Sequence, residues 1–125
     1  MNKNIGLFWL RDDFRITKNN GLIEATRNHD QVVVFYLYKK SNYNNQEAQK
    51  WWLHKSILNF KKTLNKFNIN LEIIKTDSFK DFFDKLIKKK DISIYWNKVY
   101  EPNYLKYDKD LIKNLKIKNI PFKVF

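Results

Sequence analysis

Charged side chains gather in two short segments that no helical or strand period explains. One segment holds Arg11, Asp12, Asp13 and Arg15, and the other covers residues 97–102. Neighbouring carboxylates such as Asp12 and Asp13 can serve acid–base catalysis or bind a divalent metal. Ion pairs with the two flanking arginines would hold the loop in place and explain the same residues. We favour the ion-pair interpretation.

Other motifs of catalysis or cofactor binding are weak or missing. Gly6 and Gly21 are the only glycines, which excludes the glycine-rich phosphate-binding loops of nucleotide-binding proteins. Cysteine is absent, so disulfides, thiolate nucleophiles and Cys-based zinc sites are excluded as well. His29 and His54 lie on separate predicted helices without metal-ligand spacing, and we interpret them as helix-end or surface residues. The residues predict no complete catalytic centre and no metal site.

Aromatic and basic residues leave a nucleic-acid interaction open. Trp51, Trp52 and the many Phe residues could stack on bases, but their helical spacing favours packing in the core. The net charge is +12, with 25 Lys and Arg against 13 Asp and Glu. Only three of the basic residues are Arg, and Lys rises together with Asn and Ile. This pattern is typical of an AT-rich genome, to which we attribute most of the charge, with a polyanion-binding surface as the alternative.

Short apolar runs alternate along the chain with amphipathic segments. Runs that are rich in β-branched and aromatic residues predict strands, and apolar residues at spacings of three and four predict helices. The predicted strands are 5–10, 32–38, 71–74, 92–96 and 122–125. The predicted helices are 21–29 with Asn20 as N-cap, 46–67, a segment capped by Ser78, and 103–118. Residues predicted to face inward from these helices are Leu22, Ile23, Thr26, Leu53, Ile57, Phe60, Leu64, Phe67, Phe79, Phe82, Phe83, Leu86, Ile87, Leu111, Ile112 and Leu115.

This alternation predicts an α/β fold of one domain over residues 1–125. Nearly apolar strands between amphipathic helices are what a parallel sheet with both faces covered requires. We therefore expect a doubly wound, Rossmann-like sheet of five parallel strands with four helices. Ligands bind such sheets beyond the carboxyl ends of the strands, which points to the loops at 11–19, 39–45 and 97–102. No membrane-spanning run or signal peptide is evident, and we expect a cytoplasmic location without membrane contact.

Two of these loops carry motifs of a known family. The run Phe8–Ile16, followed by Asn19–Leu22, resembles the opening of the DNA photolyase and cryptochrome family, with Arg11, Asp13 and Arg15 on its charged positions. The run from Tyr95 to Pro102, continuing to Asp108, is similar to a second family motif, in which Tyr107 replaces the usual Arg. The spacing between both motifs also fits, so the resemblance covers essentially the whole chain.

The resemblance implies the N-terminal α/β domain of such a protein. In many members this domain holds an antenna chromophore, which is a methenyltetrahydrofolate, a deazaflavin or a flavin. The antenna passes excitation energy to FAD in a separate helical domain, and the FAD repairs a pyrimidine dimer. We expect that FAD-binding domain to lie outside these residues, so the chain would need a helical partner in cis or in trans and would meet DNA through the full-length protein. The residues that the resemblance assigns to the antenna or to the domain interface are Arg11, Asp13, Arg15, Glu101 and Asn103, none of them catalytic.

Three alternative functions remain open at this point. The chain could be a free-standing basic α/β module that binds nucleotides or nucleic acid, in which case its affinity should fall steeply with salt. It could belong to a cryptochrome-type photoreceptor rather than to a repair enzyme. It could also be a scaffold that docks a protein partner through its aromatic-rich long helix.

Overall fold

Alternating strands and helices build the domain in the order that the sequence predicts. A computed structural model of the chain describes residues 5–11, 19–38, 47–76, 78–89, 91–98 and 102–125, with the side chains of 47–50 and 102–104 outside the description. The elements in chain order are β1 (Ile5–Leu10), α1 (Asn20–Asn28), β2 (Val32–Tyr38), α2 (Glu47–Asn65), β3 (Asn70–Lys75), α3 (Phe79–Leu86), β4 (Ile92–Trp96), α4 (Pro102–Ile117) and β5 (Phe122–Val124).

The strands form one sheet in the order β3-β2-β1-β4-β5, and every neighbouring pair is parallel. This arrangement confirms the predicted five-stranded parallel sheet with four helices. The strand order reverses at β1, because the chain leaves β1 toward β2 on one side and later returns as β4 on the other. Such a switch point opens a crevice at the carboxyl ends of the two strands.

Each face of the sheet has its own apolar core, because successive side chains of a strand point to opposite faces. Phe8 and Leu10 lie in the first core and Trp9 in the second. Buried residues of the first core come from helices α1 and α2: Leu22, Ala25, Leu53, Ile57, Phe60 and Leu64. Buried residues of the second core come from helices α3 and α4: Phe83, Leu111 and Leu115. Among the residues that the structure describes, no helix is long and apolar enough to cross a membrane.

The N-terminus of α1 differs from the prediction by one residue. Asn19, not Asn20, is the N-cap: its backbone is extended and its side-chain oxygen accepts a hydrogen bond from the Leu22 amide. The shift follows from burial, because Asn19 is completely buried whereas Asn20 is exposed. It also changes the inward face of the helix, which consists of Leu22 and Ala25. The prediction for Ile23 and Thr26 was wrong, since both are exposed.

The aromatic residues at both ends of α2 also contradict the prediction. Trp51 and Trp52 are 65% and 58% exposed, so they do not pack in the core. Phe67 is 61% exposed, because helix α2 ends at Asn65 and the turn that follows carries Phe67 off the inward face. The other four residues of the predicted stripe, listed among the first core above, are buried as expected.

Candidate functional site at the carboxyl edge of the sheet

Strands β1 and β4 end side by side at the switch point. Trp9 pairs with Trp96 in the parallel register, so the residues that follow these strands leave the sheet at the same edge. Arg11 comes one residue after the end of β1, and Asn97 comes directly after β4. The two polar residues therefore follow the strands at two of the three predicted ligand-binding loops, 11–19 and 97–102, whereas the third, 39–45, lies outside the described residues.

Arg11 is buried and bound within the domain. Its Nη2 donates a hydrogen bond to Oδ1 of Asp108 on α4 over 2.5 Å, and the two side chains are only 2% and 7% exposed. The guanidinium also lies over the ring of Trp9, with its central carbon 4.1 Å from the ring centroid. Ion pairing and the aromatic face both compensate the desolvation of this charge. The pair attaches the end of β1 to α4.

Asp108 was not among the predicted site residues, although the second family motif ends on it. It is 5% exposed, and its Oδ2 accepts no hydrogen bond from the residues that the structure describes. The signals in the sequence that could have identified Asp108 were its carboxylate and its place in the family motif. The pairing itself joins residues 97 positions apart, and no local pattern predicts such a contact.

Asn97 ties the end of β4 to the start of α1. Its Oδ1 accepts a hydrogen bond from the Gly21 amide over 2.9 Å, and its Nδ2 donates to Oδ1 of Asn19 over 2.7 Å. The same Asn19 oxygen accepts from the amide of Leu22 over 3.1 Å. This partly buried cluster thus satisfies two of the free amides at the helix N-terminus. Helix α1 is fixed against the switch point by side chains from both loops.

Gly21 belongs to this junction because nothing larger fits there. A Cβ atom at position 21 would lie 2.8 Å from Cε1 of Phe8 and 2.9 Å from Oδ1 of Asn97. Both distances are shorter than van der Waals contact, so a side chain would push the helix away from Asn97. The glycine permits the close approach that the hydrogen bond to its amide requires.

Tyr107 occupies the position where the family motif has Arg, and it joins an aromatic cluster. Its ring centroid lies 6.0 Å from that of Trp9 and 5.8 Å from that of Phe79. Burial, with the nearby Asp84 and Asp108 carboxylates, raises the pKa of the Tyr107 phenol well above its usual value. The phenol is therefore protonated at physiological pH and adds apolar contact where an Arg would add a charge.

The histidines have structural positions. His29 is the C-cap residue of α1, and its Nε2 lies 2.9 Å from the Tyr95 hydroxyl, which confirms the helix-end role. His54 is exposed on α2, as a surface residue. Within the described ranges, no three His, Asp or Glu side chains come together in a way that could hold a metal ion.

The structure does not describe the side chains of the other predicted site residues. Asp13, Arg15 and Glu101 lie outside the described residues, as do the proposed ion pairs of Asp12 and Asp13. Asn103 is the second residue of α4, and its side chain lies outside the description. Their role as antenna or interface residues stays a prediction.

Comparison with known proteins agrees with both the fold and the sequence motifs. A family model described as DNA photolyase matches residues 6–125, nearly the entire chain. The chain belongs to the DNA photolyase family. A deoxyribodipyrimidine photo-lyase of Agrobacterium fabrum is 28% identical over 110 residues, which cover 88% of this chain and 23% of the relative.

Solved photolyase structures contain the same domain. A class III photolyase of Agrobacterium tumefaciens superimposes with a TM-score of 0.85 at 26% identity, over 100% of this chain and 26% of its own length. An archaeal photolyase of Sulfolobus tokodaii, solved with two FAD molecules, has a TM-score of 0.82 at 23% identity over 97% of this chain and 29% of its own. The latter likeness concerns the fold alone. The chain spans about a quarter of the length of these photolyases.

Proposed function

We propose that this chain is the N-terminal α/β domain of a deoxyribodipyrimidine photolyase, which repairs pyrimidine dimers in a light-driven reaction. The match of the DNA photolyase family model to residues 6–125 is the observation that carries the proposal. Because the relatives are about four times as long, we assign the FAD-binding helical domain and its DNA contacts to a partner outside these residues. The chain is not catalytic alone under this proposal.

We further propose an antenna chromophore at the carboxyl edge of the sheet, of the methenyltetrahydrofolate, deazaflavin or flavin class. Such a group would absorb near-ultraviolet or blue light and supply excitation energy to the FAD. We assign Arg11 and Asn97 to holding the site in place, since Arg11 is buried and donates through Nη2 to Asp108, and Asn97 bonds to Gly21 and Asn19. We therefore assign the contacts to Asp13, Arg15, Glu101 and Asn103.

The chain's own contribution is then to hold those ligands in position. The ion pair between Arg11 and Asp108 fixes α4 to the end of β1. The cluster around Asn97 fixes α1 to the end of β4. Both attachments lie next to the proposed ligands in the sequence, so two rigid junctions would hold the site.

A repair assay tests the proposal directly. DNA that carries cyclobutane pyrimidine dimers is illuminated with the 125-residue chain plus FAD, and in parallel with the chain joined to the helical domain of a class III photolyase. We expect light-dependent repair only in the joined protein. Repair by the chain alone, or none by a correctly folded joined protein that binds FAD, would contradict the proposal.

The chromophore is tested separately, by spectroscopy of the chain without the helical domain. The chain is mixed with methenyltetrahydrofolate, a deazaflavin or FMN, passed through gel filtration, and examined for absorbance that elutes with the protein. We expect one chromophore to co-elute, and Glu101→Gln together with Asn103→Ala to abolish co-elution, while the control Lys66→Ala, an exposed residue in the turn before β3 at the opposite edge of the sheet, has no effect. Co-elution that survives the double substitution would contradict the ligand assignment, and the absence of any co-eluting chromophore would contradict an antenna in this domain.

A further inference from the structure

The outward side of helix α2 carries an ordered set of exposed residues. Trp51, Lys55, Leu58 and Lys62 follow one another at spacings of four, three and four, which puts them on the side opposite the buried stripe. Trp52 borders this set and is 58% exposed. These five residues are called the α2 outer face below. A stripe that combines two exposed tryptophans with lysines is unusual for a surface that contacts only water.

Basic residues outnumber acidic residues on α2. The helix contains four Lys and one acidic residue, Glu47, whereas the eight residues of α3 contain two Lys and two Asp. An AT-rich genome raises Lys along the whole chain, so it does not explain a difference between two helices of that chain. The excess of positive charge on α2 favours contact with a polyanion.

The aromatic rings and the lysines are arranged for one kind of ligand. The Nζ atom of Lys55 lies over the ring of Trp51, 5.0 Å from its centroid, so a cation covers one face of this exposed aromatic ring. The stripe from Trp51 to Lys62 extends about 16 Å along the helix. Stacking platforms for bases beside cations for phosphates are how proteins bind single strands without reading their sequence.

We propose that the α2 outer face binds single-stranded nucleic acid, with bases stacked on Trp51 and Trp52 and phosphates on Lys55 and Lys62. A protein partner is the competing occupant. It is disfavoured because the centres of protein interfaces are depleted in Lys, and here Lys55 and Lys62 lie on the stripe itself. The proposal concerns a different surface from the carboxyl-edge site and does not depend on the photolyase activity.

The test measures the affinity of the 125-residue chain for fluorescein-labelled dT12 by anisotropy, at several salt concentrations. We expect affinity to fall steeply as salt rises, because each phosphate contact releases counterions. Lys55→Ala with Lys62→Ala should weaken binding about tenfold. The matched control is Lys88→Ala with Lys89→Ala, which removes two exposed lysines beyond the end of α3 and should weaken binding less than about threefold.

The tryptophans are tested by a graded pair of variants. Trp51→Ala with Trp52→Ala should weaken binding at least about tenfold, and Trp51→Phe with Trp52→Phe should largely restore it, since Phe still stacks on bases. Phe67→Ala removes another exposed aromatic residue and should have no effect. Circular dichroism of each variant verifies the fold.

Several results would overturn the proposal. They are no measurable dT12 binding, binding that does not change with salt, or equal losses in the α2 and Lys88/Lys89 variants. Loss of dT12 binding in the chain joined to a helical domain, with Trp51 and Trp52 protected from acrylamide quenching, would assign the face to the protein partner instead.

Discussion

Helices α2 and α3 differ in the placement of their aromatic residues, because only α2 exposes two of them, both Trp. On α3, Phe79 and Phe83 turn inward and contact the ring of Trp9, with centroids 5.8 Å and 4.9 Å apart. On α2, Trp51 and Trp52 point outward, and its inward face consists of Phe60 and three aliphatic residues, Leu53, Ile57 and Leu64. The helical period explains the difference, because it decides whether the position of an aromatic residue faces the sheet or the solvent. Aromatic content alone therefore does not reveal which helix serves the core and which serves the surface.

The strongest test of this contrast is a pair of truncations. Phe83→Ala removes a ring that is 2% exposed from the second core and should lower the free energy of unfolding by about 3–5 kcal/mol. Trp51→Ala removes a larger ring from the surface and should change it by less than about 0.5 kcal/mol. Urea denaturation followed by circular dichroism measures both. A comparable loss in the two variants would show that Trp51 is covered in solution.

The buried Arg11, which lies over the ring of Trp9, should contribute nearly as much to the free energy of unfolding. Arg11→Ala leaves the Asp108 carboxylate without its partner in a buried place, so the free energy of unfolding should fall by about 3 kcal/mol. Arg27→Ala is the matched control, because that guanidinium is 71% exposed and lies 3.7 Å from Glu24, an ion pair worth less than about 1 kcal/mol. Equal effects in urea denaturation would mean that Arg11 is not buried as described.

A smaller loss is expected at the junction of α1. Asn97→Ala leaves the Gly21 amide without its acceptor, which should cost about 1–3 kcal/mol. Hydrogen exchange at the first turn of α1 should increase more than exchange in α3, because only α1 is attached through this side chain. Unchanged protection of the Gly21 and Leu22 amides would refute the role of the cluster.

The smallest expected effect is that of alkaline pH on stability, through Tyr107 of the aromatic cluster. Because the pKa of Tyr107 is raised in the folded protein, its stabilising contribution is complete below about pH 10, the ordinary value in an unfolded chain, and decreases as the pH rises above it. Tyr107→Phe should therefore flatten the alkaline decrease in melting temperature. Tyr38→Phe serves as the control on strand β2. A decrease of the same slope in Tyr107→Phe and the parent would contradict the raised pKa.

Local patterns were enough to predict the elements. The strands at 32–38 and 92–96 agree with the structure residue by residue, because short β-branched and aromatic runs between polar segments favour strands that are buried on both faces. Ser78 caps α3 as predicted, since its side chain needs only the amide of Asp81 three residues later. Such features depend on neighbours in the chain, which a sequence displays directly.

The errors come from places where two local signals compete. Asn19 and Asn20 are equally good caps by residue type, and the contact of Asn19 with Asn97 decides between them. Trp51 and Trp52 are adjacent, and on a helix adjacent residues point about 100° apart, so both could not lie on the stripe of Leu53. The 100° angle between neighbours could have been applied to the sequence alone, whereas the choice of the N-cap depends on a contact that only the fold creates.

The sequence by itself determined the order of strands and helices, the parallel α/β class and the two loops at which the photolyase motifs stand. These follow from periodicity and from residue types, which act over a few positions. Only the tertiary structure decided that Arg11 pairs with Asp108, 97 positions away, and that Asn97 bonds to Asn19, 78 positions away. The parallel sheet is the physical reason, because it brings the ends of strands that are distant in the chain to one edge and makes their polar residues satisfy each other.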